Sequence, residues 1–264
     1  MKKYVLVTGA GGGMGRKTAE LLAENGYFVF ALDRKKSEAG ENIMPVEADV
    51  TDEESVRMAF CKVSEFTGEL SAIVHFAGIY MLDSLMEMEN ESFERIFRVN
   101  TLGAHLVNRA FLPLLKSGSR IIITTSELAP LDPLPFTGIY AVTKSALDKY
   151  AYSLRMELQL LGIDVCVLRA GAVATDMLGV STSALDSFCE NTRLYAVSAD
   201  RFKRIVAGVE ARNIPPERIA EKALSLMKKK KTRFAYAINR NPLLLMLNAL
   251  PKRAQLFIIK QILK

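Results

Sequence analysis

Tyr140 and Lys144 stand four residues apart in the stretch PFTGIYAVTKSALDKY, which puts both side chains on one face of a helix. The same spacing occurs on helices that do no chemistry, so its meaning depends on the rest of the chain. A second candidate lies near the start, in VTGAGGGMGRKTAELL, where five of the seven positions from Gly9 to Gly15 are glycine. Between a strand and a helix, Gly9, Gly13 and Gly15 would let the backbone turn tightly, approach a pyrophosphate and aim free N–H groups at its charge. The Thr8 hydroxyl could fix that turn. A merely flexible turn has the same composition. A nucleotide-triphosphate loop of the Walker type would end in Gly-Lys-Ser/Thr, whereas this one ends Gly15-Arg16.

About twenty residues beyond the glycines comes ALDRKK. An acid there can accept hydrogen bonds from both hydroxyls of an adenosine ribose and repel a 2′-phosphate, so Asp33 favours NAD. Arg34 argues the other way, because a guanidinium can pair with that phosphate or stack on adenine. In EADVTD, Asp49 could accept from the adenine amino group and Val50 could pack on its ring; capping the following helix would explain Asp49 almost as well.

These residues need a scaffold, and the apolar pattern supplies one. KYVLVT, YFVFALD, NIMPVEADV, LSAIVHFAG, SRIIITTS, IDVCVLRAG and FAYAI are nearly continuous apolar runs rich in β-branched and aromatic residues, the pattern of strands covered on both faces. Helical segments alternate with them, the longest being SFERIFRVNTLGAHLVNRAFLPLLKSG. The rhythm is that of an α/β fold, a doubly wound seven-stranded parallel sheet with helices on both faces, a Rossmann fold. Thr51 is the expected N-cap of the helix in TDEESV, and Gly26, Gly118 and Gly162 fall where left-handed caps would sit. Thr175 to Asn213 lacks clear periodicity and is a candidate mobile substrate flap.

The 264 residues suit one domain with a sizeable core, at 50% apolar and 24% charged. Cys61, Cys166 and Cys189 show no ligand-like spacing, and two histidines, His75 and His105, are too few for a multi-histidine metal site, so no metal is expected. No segment reads as a leader or a membrane span, so a cytoplasmic location is expected. The net charge of +6 is concentrated at one end: ten basic and no acidic residues lie between Lys228 and Lys264, leaving the first 227 residues at −4.

The ordered motifs resemble those of the short-chain dehydrogenase/reductase family in its compact, single-domain form, over nearly the whole chain. Thr8, Gly9, Gly13 and Gly15 match its glycine turn, Asn100 in FRVNTLG its active-site asparagine, Ser126 at the end of IIITTS its serine, and Tyr140 and Lys144 its Tyr-x-x-x-Lys pair. Three departures stand out. His75-Phe76-Ala77-Gly78 replaces Asn-Asn-Ala-Gly, the gap from Ser126 to Tyr140 is one residue longer than the commonest spacing, and Ala170-Gly171 replaces Pro-Gly.

The resemblance implies an NAD-dependent oxidoreductase, with NADP as the alternative, whose dinucleotide also meets Met14, Ala77, Gly78, Gly171, Val173 and Thr175. It implies that Tyr140 exchanges a proton with an alcohol oxygen, that Ser126 orients that oxygen, and that Asn100 kinks the long helix and holds a water linking Lys144 to solvent. A phenol ionises near neutrality only beside positive charge, which Lys144 and an oxidised nicotinamide would provide. Leu128, Leu134, Phe136, Met177 and Leu178 would line an apolar pocket for a hydrophobic secondary alcohol or ketone, such as a steroid, bile acid or retinoid-like molecule. A catalytically silent dinucleotide-binding sensor or scaffold, or an NADP-preferring carbonyl reductase, is the competing reading. The resemblance also implies assembly as a homodimer or homotetramer. The basic, apolar C-terminal extension, residues 240–264, is expected to pack over the cleft or against a subunit, with peripheral membrane contact as the alternative and nucleic-acid binding not expected.

Overall fold

The computed structural model describes residues 2–35, 39–210 and 212–264, excepting the side chains of 176–181 and 207–210. Its strands are β1 (Lys3–Thr8), β2 (Tyr27–Asp33), β3 (Ile43–Glu47), β4 (Leu70–His75), β5 (Leu115–Ser126), β6 (Asp164–Ala170) and β7 (Ala235–Ile238). All pair in parallel, in the order β3-β2-β1-β4-β5-β6-β7. From β1 the chain winds outward through β2 to β3, then returns to lay β4 on the other side of β1. That reversal leaves a crevice at the carboxyl ends of β1 and β4.

Alternate strand residues serve opposite faces. Leu6, Phe30, Ile73, Ile121 and Val165 bury against α2 (Glu53–Ser64), α4 (Gly103–Phe111) and α5 (Gly138–Leu158). Val5, Val29, Val74, Ile122 and Cys166 bury against α1 (Gly13–Glu24) and, further along the chain, the helix Glu217–Met227. Apolar residues at every strand position therefore find helices on both sides, which is why the runs read as continuous rather than alternating.

The long helical segment is broken. α3 (Asn90–Phe97) passes into a π-helical turn, Arg98–Leu102, before α4, so the expected kink at Asn100 is a widened turn. Its far end is not helical: β5 begins at Leu115, with Gly118 at φ 95° inside the irregular start of the strand. Gly26 and Gly162 also take the left-handed conformation. Asp52, not Thr51, caps α2, accepting from the Glu54 N–H at 3.0 Å. The Thr51 side chain is turned instead to Asp49.

Residues 175–213, aperiodic in sequence, form α6 (Asp176–Asn191) and α7 (Ala196–Glu210). Their apolar residues serve a third, separate core: Phe188, Ala199 and Phe202 close around Leu82, Phe136 and Leu263. A helix packed on a small satellite core rather than on the sheet shows a weak amphipathic signal. The helix Glu217–Met227, α8, precedes β7, and the chain ends in α9 (Pro242–Asn248) and α10 (Lys252–Leu263), separated at Pro251.

Candidate active site

The glycine turn follows β1 and leads into α1. Gly9, at φ 67°, lies so near β4 that a Cβ there would come within 2.6 Å of the Ala77 nitrogen, and one on Gly15 would fall 2.1 Å from the Gly9 carbonyl oxygen. Only hydrogen fits at either place. Thr8 is fully buried and does not brace the turn itself. Its Oγ1 accepts from the Ala77 N–H at 3.3 Å and stands 3.5 Å from His75 Nδ1, tying β1 to the segment after β4.

His75 stands where the family pattern has asparagine and makes its own buried bridge. Its Nε2 lies 2.8 Å from Asn108 Oδ1, whose own Nδ2 donates to the Tyr150 hydroxyl at 3.2 Å. With Nε2–H donating to Asn108, Nδ1 is left to accept from Thr8. Burial pushes the imidazole down to about 4, so it is neutral at ordinary pH and braces the sheet without carrying charge. His105 is exposed, with its ring edge-on to Tyr150 at 6.0 Å.

A cleft of about 800 Å³ runs along the crevice. Gly9, Gly13, Met14 and Gly15 form one wall; Asp33, Arg34, Asp49 and Val50 form the far end; Ala77, Gly78 and Thr175 continue toward the centre. Asp33 accepts from the Gly11 N–H at 2.9 Å, so its carboxylate is held against the glycine turn. Asp49 spends Oδ1 on the Thr51 N–H and hydroxyl, at 2.8 and 2.7 Å. Burial works against its charge, but those two bonds and Arg34 prevail and hold the carboxyl below the usual range. Asp49 is thus an anchored wall residue with its adenine-facing role reduced to what its other oxygen can do. Thr175 lies over Gly13, where a Cβ would meet the Thr175 methyl at 2.7 Å.

Tyr140, Lys144, Gly171 and Val173 belong to an adjoining cavity of about 640 Å³, which shares Met14, Gly78 and Thr175 with the first. Ser126 and Tyr140 converge in it despite the extended loop between them. That loop carries Phe136 at φ 66°, a conformation uncommon for a bulky residue. Its ring is sunk among Phe188, Tyr195 and Phe202. Phe136 therefore anchors the loop rather than lining the pocket, a correction to the expectation from sequence. Leu128 and Leu134 do line the cavity. Met177 and Leu178 lie outside the described side chains.

Asn100 is buried in the π turn, with Oδ1 accepting from the Ile79 N–H at 2.8 Å and Nδ2 donating to the Ile79 carbonyl at 3.0 Å and to Thr143 Oγ1 at 3.1 Å. Both side-chain N–H groups are engaged, so neither is left to hold the expected water. The side chain instead locks the Gly78–Ile79 backbone to α5. Lys144 Nζ donates to the Thr124 carbonyl at 3.3 Å and lies 5.8 Å from the Tyr140 ring centre. A Cβ on Gly78 would sit 3.3 Å from Nζ, so the glycine keeps the approach to Lys144 open.

Burial, followed by neighbouring Tyr80, pushes the Tyr140 phenol upward, and the nearby Ser126 hydroxyl only partly offsets this. Burial also lowers Lys144 to about 8. The protein on its own holds Tyr140 protonated, as an acid. The Lys144 ammonium beside the ring would favour the phenolate form needed for a base.

The residues fit a dinucleotide. Glycine backbone closes on the crevice where side chains would block it, a carboxylate stands at the end of β2, and Thr124 Oγ1, without a hydrogen-bond partner among the described residues, lines the cavity beside Lys144.

Sequence reasoning missed three features. Tyr80 packs on Tyr140 with ring centres 4.9 Å apart. Glu127, beside Ser126, is buried with its carboxyl pushed up by desolvation, and accepts from the Asn241 N–H at 2.6 Å. Leu244 and Leu247 of α9 roof the cavity. An acid directly after the strand-end serine was a readable signal for Glu127; the other two depend on tertiary packing.

Residues 3–186 match the family profile described as short chain dehydrogenase. The chain is 33% identical over 190 residues to estradiol 17-beta-dehydrogenase 2 of Mus musculus, covering 67% of this chain and half the length of that protein. It is 32% identical over 186 residues to a versicolorin reductase of Emericella nidulans, covering 66% of this chain and 70% of that one. Among solved structures, the 3-ketoacyl-(acyl-carrier-protein) reductase of Brucella melitensis, complexed with NADH, superposes with a TM-score of 0.73 at 25% identity, covering 89% of this chain and 95% of the other. The chain belongs to the short chain dehydrogenase family and is an oxidoreductase of that family.

Proposed function

We propose that this oxidoreductase interconverts a hydrophobic secondary alcohol and its ketone, using NAD. The observation that carries the reading is the apolar cavity over Ser126 and Tyr140, walled by Leu128, Leu134 and Val173 and roofed by Leu244, Leu247 and Ile259. Its volume of about 640 Å³ lies inside the range of roughly 300–1,000 Å³ usual for small-molecule sites. A steroid, bile acid or retinoid-like molecule suits such walls better than a sugar acid. The relatives to which the chain is similar carry estradiol and versicolorin in their names, which supports the same class.

A dinucleotide held by the glycine turn, Asp33 and Gly78 would supply hydride exchange at the carbinol carbon. Everything else falls to the protein. The Ser126 hydroxyl donates to the substrate oxygen and stabilises the charge it gains during reduction. Tyr140, kept protonated by burial, delivers its proton to that oxygen; in the reverse direction it must take one up, which Lys144 and the oxidised ring favour electrostatically. Lys144, hung from the Thr124 carbonyl, reaches the open edge of Gly78. Asn100 fixes the backbone on the other side of that gap.

Asp33 favours NAD because its carboxylate stands at the end of β2 against the glycine turn. One observation favours NADP: Arg34, Arg95 and Arg98 line a smaller cavity that shares Asp49 with the main cleft. The deciding experiment is a screen of steroids, bile acids, retinoids and aliphatic ketones with NADH and with NADPH, followed at the nicotinamide absorbance. Turnover of an apolar ketone with NADH supports the reading. Tight NADH binding without turnover of any ketone or alcohol would favour a silent sensor.

A further inference from the structure

The helices that roof the cavity also present an apolar outer surface. On α9 and the turn after it, Leu243, Met246 and Leu250 recur at helical spacing and are 60%, 68% and 39% exposed. On α10, Leu256 and Phe257 are 68% and 63% exposed. Arg253, Lys260 and Lys264 fall at i−3, i+4 and i+8 from Leu256, so the exposed apolar pair shares its face with three exposed cations. Lys252 is occupied, paired with Asp132.

Two further observations restrict what could cover this surface. Leu243, Met246, Leu250 and Ile262 are exposed and also line the cavity, so the apolar patch is the rim of the substrate site. And no acidic residue occurs after Lys228, while the remainder of the chain is net negative. A second copy of the chain would set this basic face against itself if the contact were two-fold symmetric, bringing like charges together. An anionic lipid surface matches both parts of the face: headgroups meet the cations, and the acyl boundary receives Leu256, Phe257 and the rim.

We infer that the outer face of α9 and α10 docks on an anionic membrane surface, with the cavity mouth turned toward the lipid. None of the helices among the described residues is long and apolar enough to cross a membrane. The docking stands independently of the reaction; delivery of a lipid-like substrate through the rim rests on the apolar-substrate reading above.

The test is sedimentation of the full chain with vesicles of phosphatidylcholine alone or mixed with phosphatidylglycerol. Binding to the mixed vesicles, weakening as salt is raised, is expected. Replacing Arg253, Lys260 and Lys264 together by glutamine should weaken it by about a hundredfold, at about fivefold per charge. The pair Leu256→Asp and Phe257→Asp should abolish it while turnover of a water-soluble ketone continues, since neither residue lines the cavity. Absence of vesicle binding at low salt overturns the proposal even if turnover is normal. So does binding that the aspartate pair leaves intact, or a loss of oligomer mass in that variant without any vesicle binding by the parent. Vesicle binding by a chain that reduces no ketone would leave the docking standing and remove the enzymatic reading.

Discussion

His75 Nε2 meets Asn108 Oδ1 at 2.8 Å, and its other ring nitrogen faces Thr8, so one imidazole joins β4 to α4 and to the base of the glycine turn. Burial holds its pKa down to about 4 against an ordinary 6.5. The unfolded chain therefore binds a proton that the folded one refuses as pH falls from 6.5 toward 4, and stability is lost across that window. The loss should approach about 3 kcal/mol. Urea midpoints measured through this range should show the decline in the parent and a shallower one in His75→Asn; equal slopes would contradict the assigned neutral imidazole.

Lys144 gives the same sign at the other end of the scale. Its folded pKa of about 8 lies below the ordinary 10.5, so between these values the unfolded chain holds more protons and stability rises with pH. Lys144→Met, lacking the cost of a buried charge, should exceed the parent in stability at pH 7 by up to about 3 kcal/mol, and the gap should close by pH 10.5. Turnover in this variant should fall nonetheless. A parent more stable than the variant at pH 7 would show that Lys144 is better solvated than its burial indicates.

Gly171 is confined by the neighbouring strand end. A Cβ there would stand 1.9 Å from the Asn239 carbonyl oxygen, a backbone atom that cannot step aside cheaply. Gly171→Ala should destabilise the fold by about 1–3 kcal/mol, read as a lowered Tm, whereas Gly68→Ala, which meets nothing within 4 Å, should change it little.

Cofactor choice turns on Asp33. Asp33→Ala removes the carboxylate that would repel a 2′-phosphate while leaving Arg34 in place. The ratio of kcat/KM for NAD over NADP should fall roughly tenfold or more, about 1.4 kcal/mol. An unchanged ratio would assign selectivity to Arg34, Arg95 and Arg98 instead.

The fold was legible because its strands are covered on both sides: an uninterrupted run such as RIIIT has no other stable place. The glycine turn, Ser126, Asn100 and the Tyr140–Lys144 pair were legible for a different reason, since each needs a particular residue type at a fixed point on that scaffold. Legibility ended where contacts are made between segments distant in sequence. Phe136 looked like a pocket residue from its place before Tyr140, but α6 and α7 drew it into their own small core. Asn100 is expected to hold a water, but its side-chain N–H groups are taken by the Ile79 carbonyl and the Thr143 hydroxyl. The pKa of Tyr140 could not be read from charge spacing, because burial acts on the phenol and on the neighbouring ammonium together, driving both toward neutrality.

The most direct measurement compares Tyr140→Phe with the parent in single-turnover reduction of the best apolar ketone from the screen, alongside NADH binding followed by fluorescence. The account predicts a rate lower by about 10²–10⁴ with NADH affinity nearly unchanged. A variant that reduces the ketone within a few-fold of the parent rate would place the proton donor elsewhere and contradict the role given to this tyrosine.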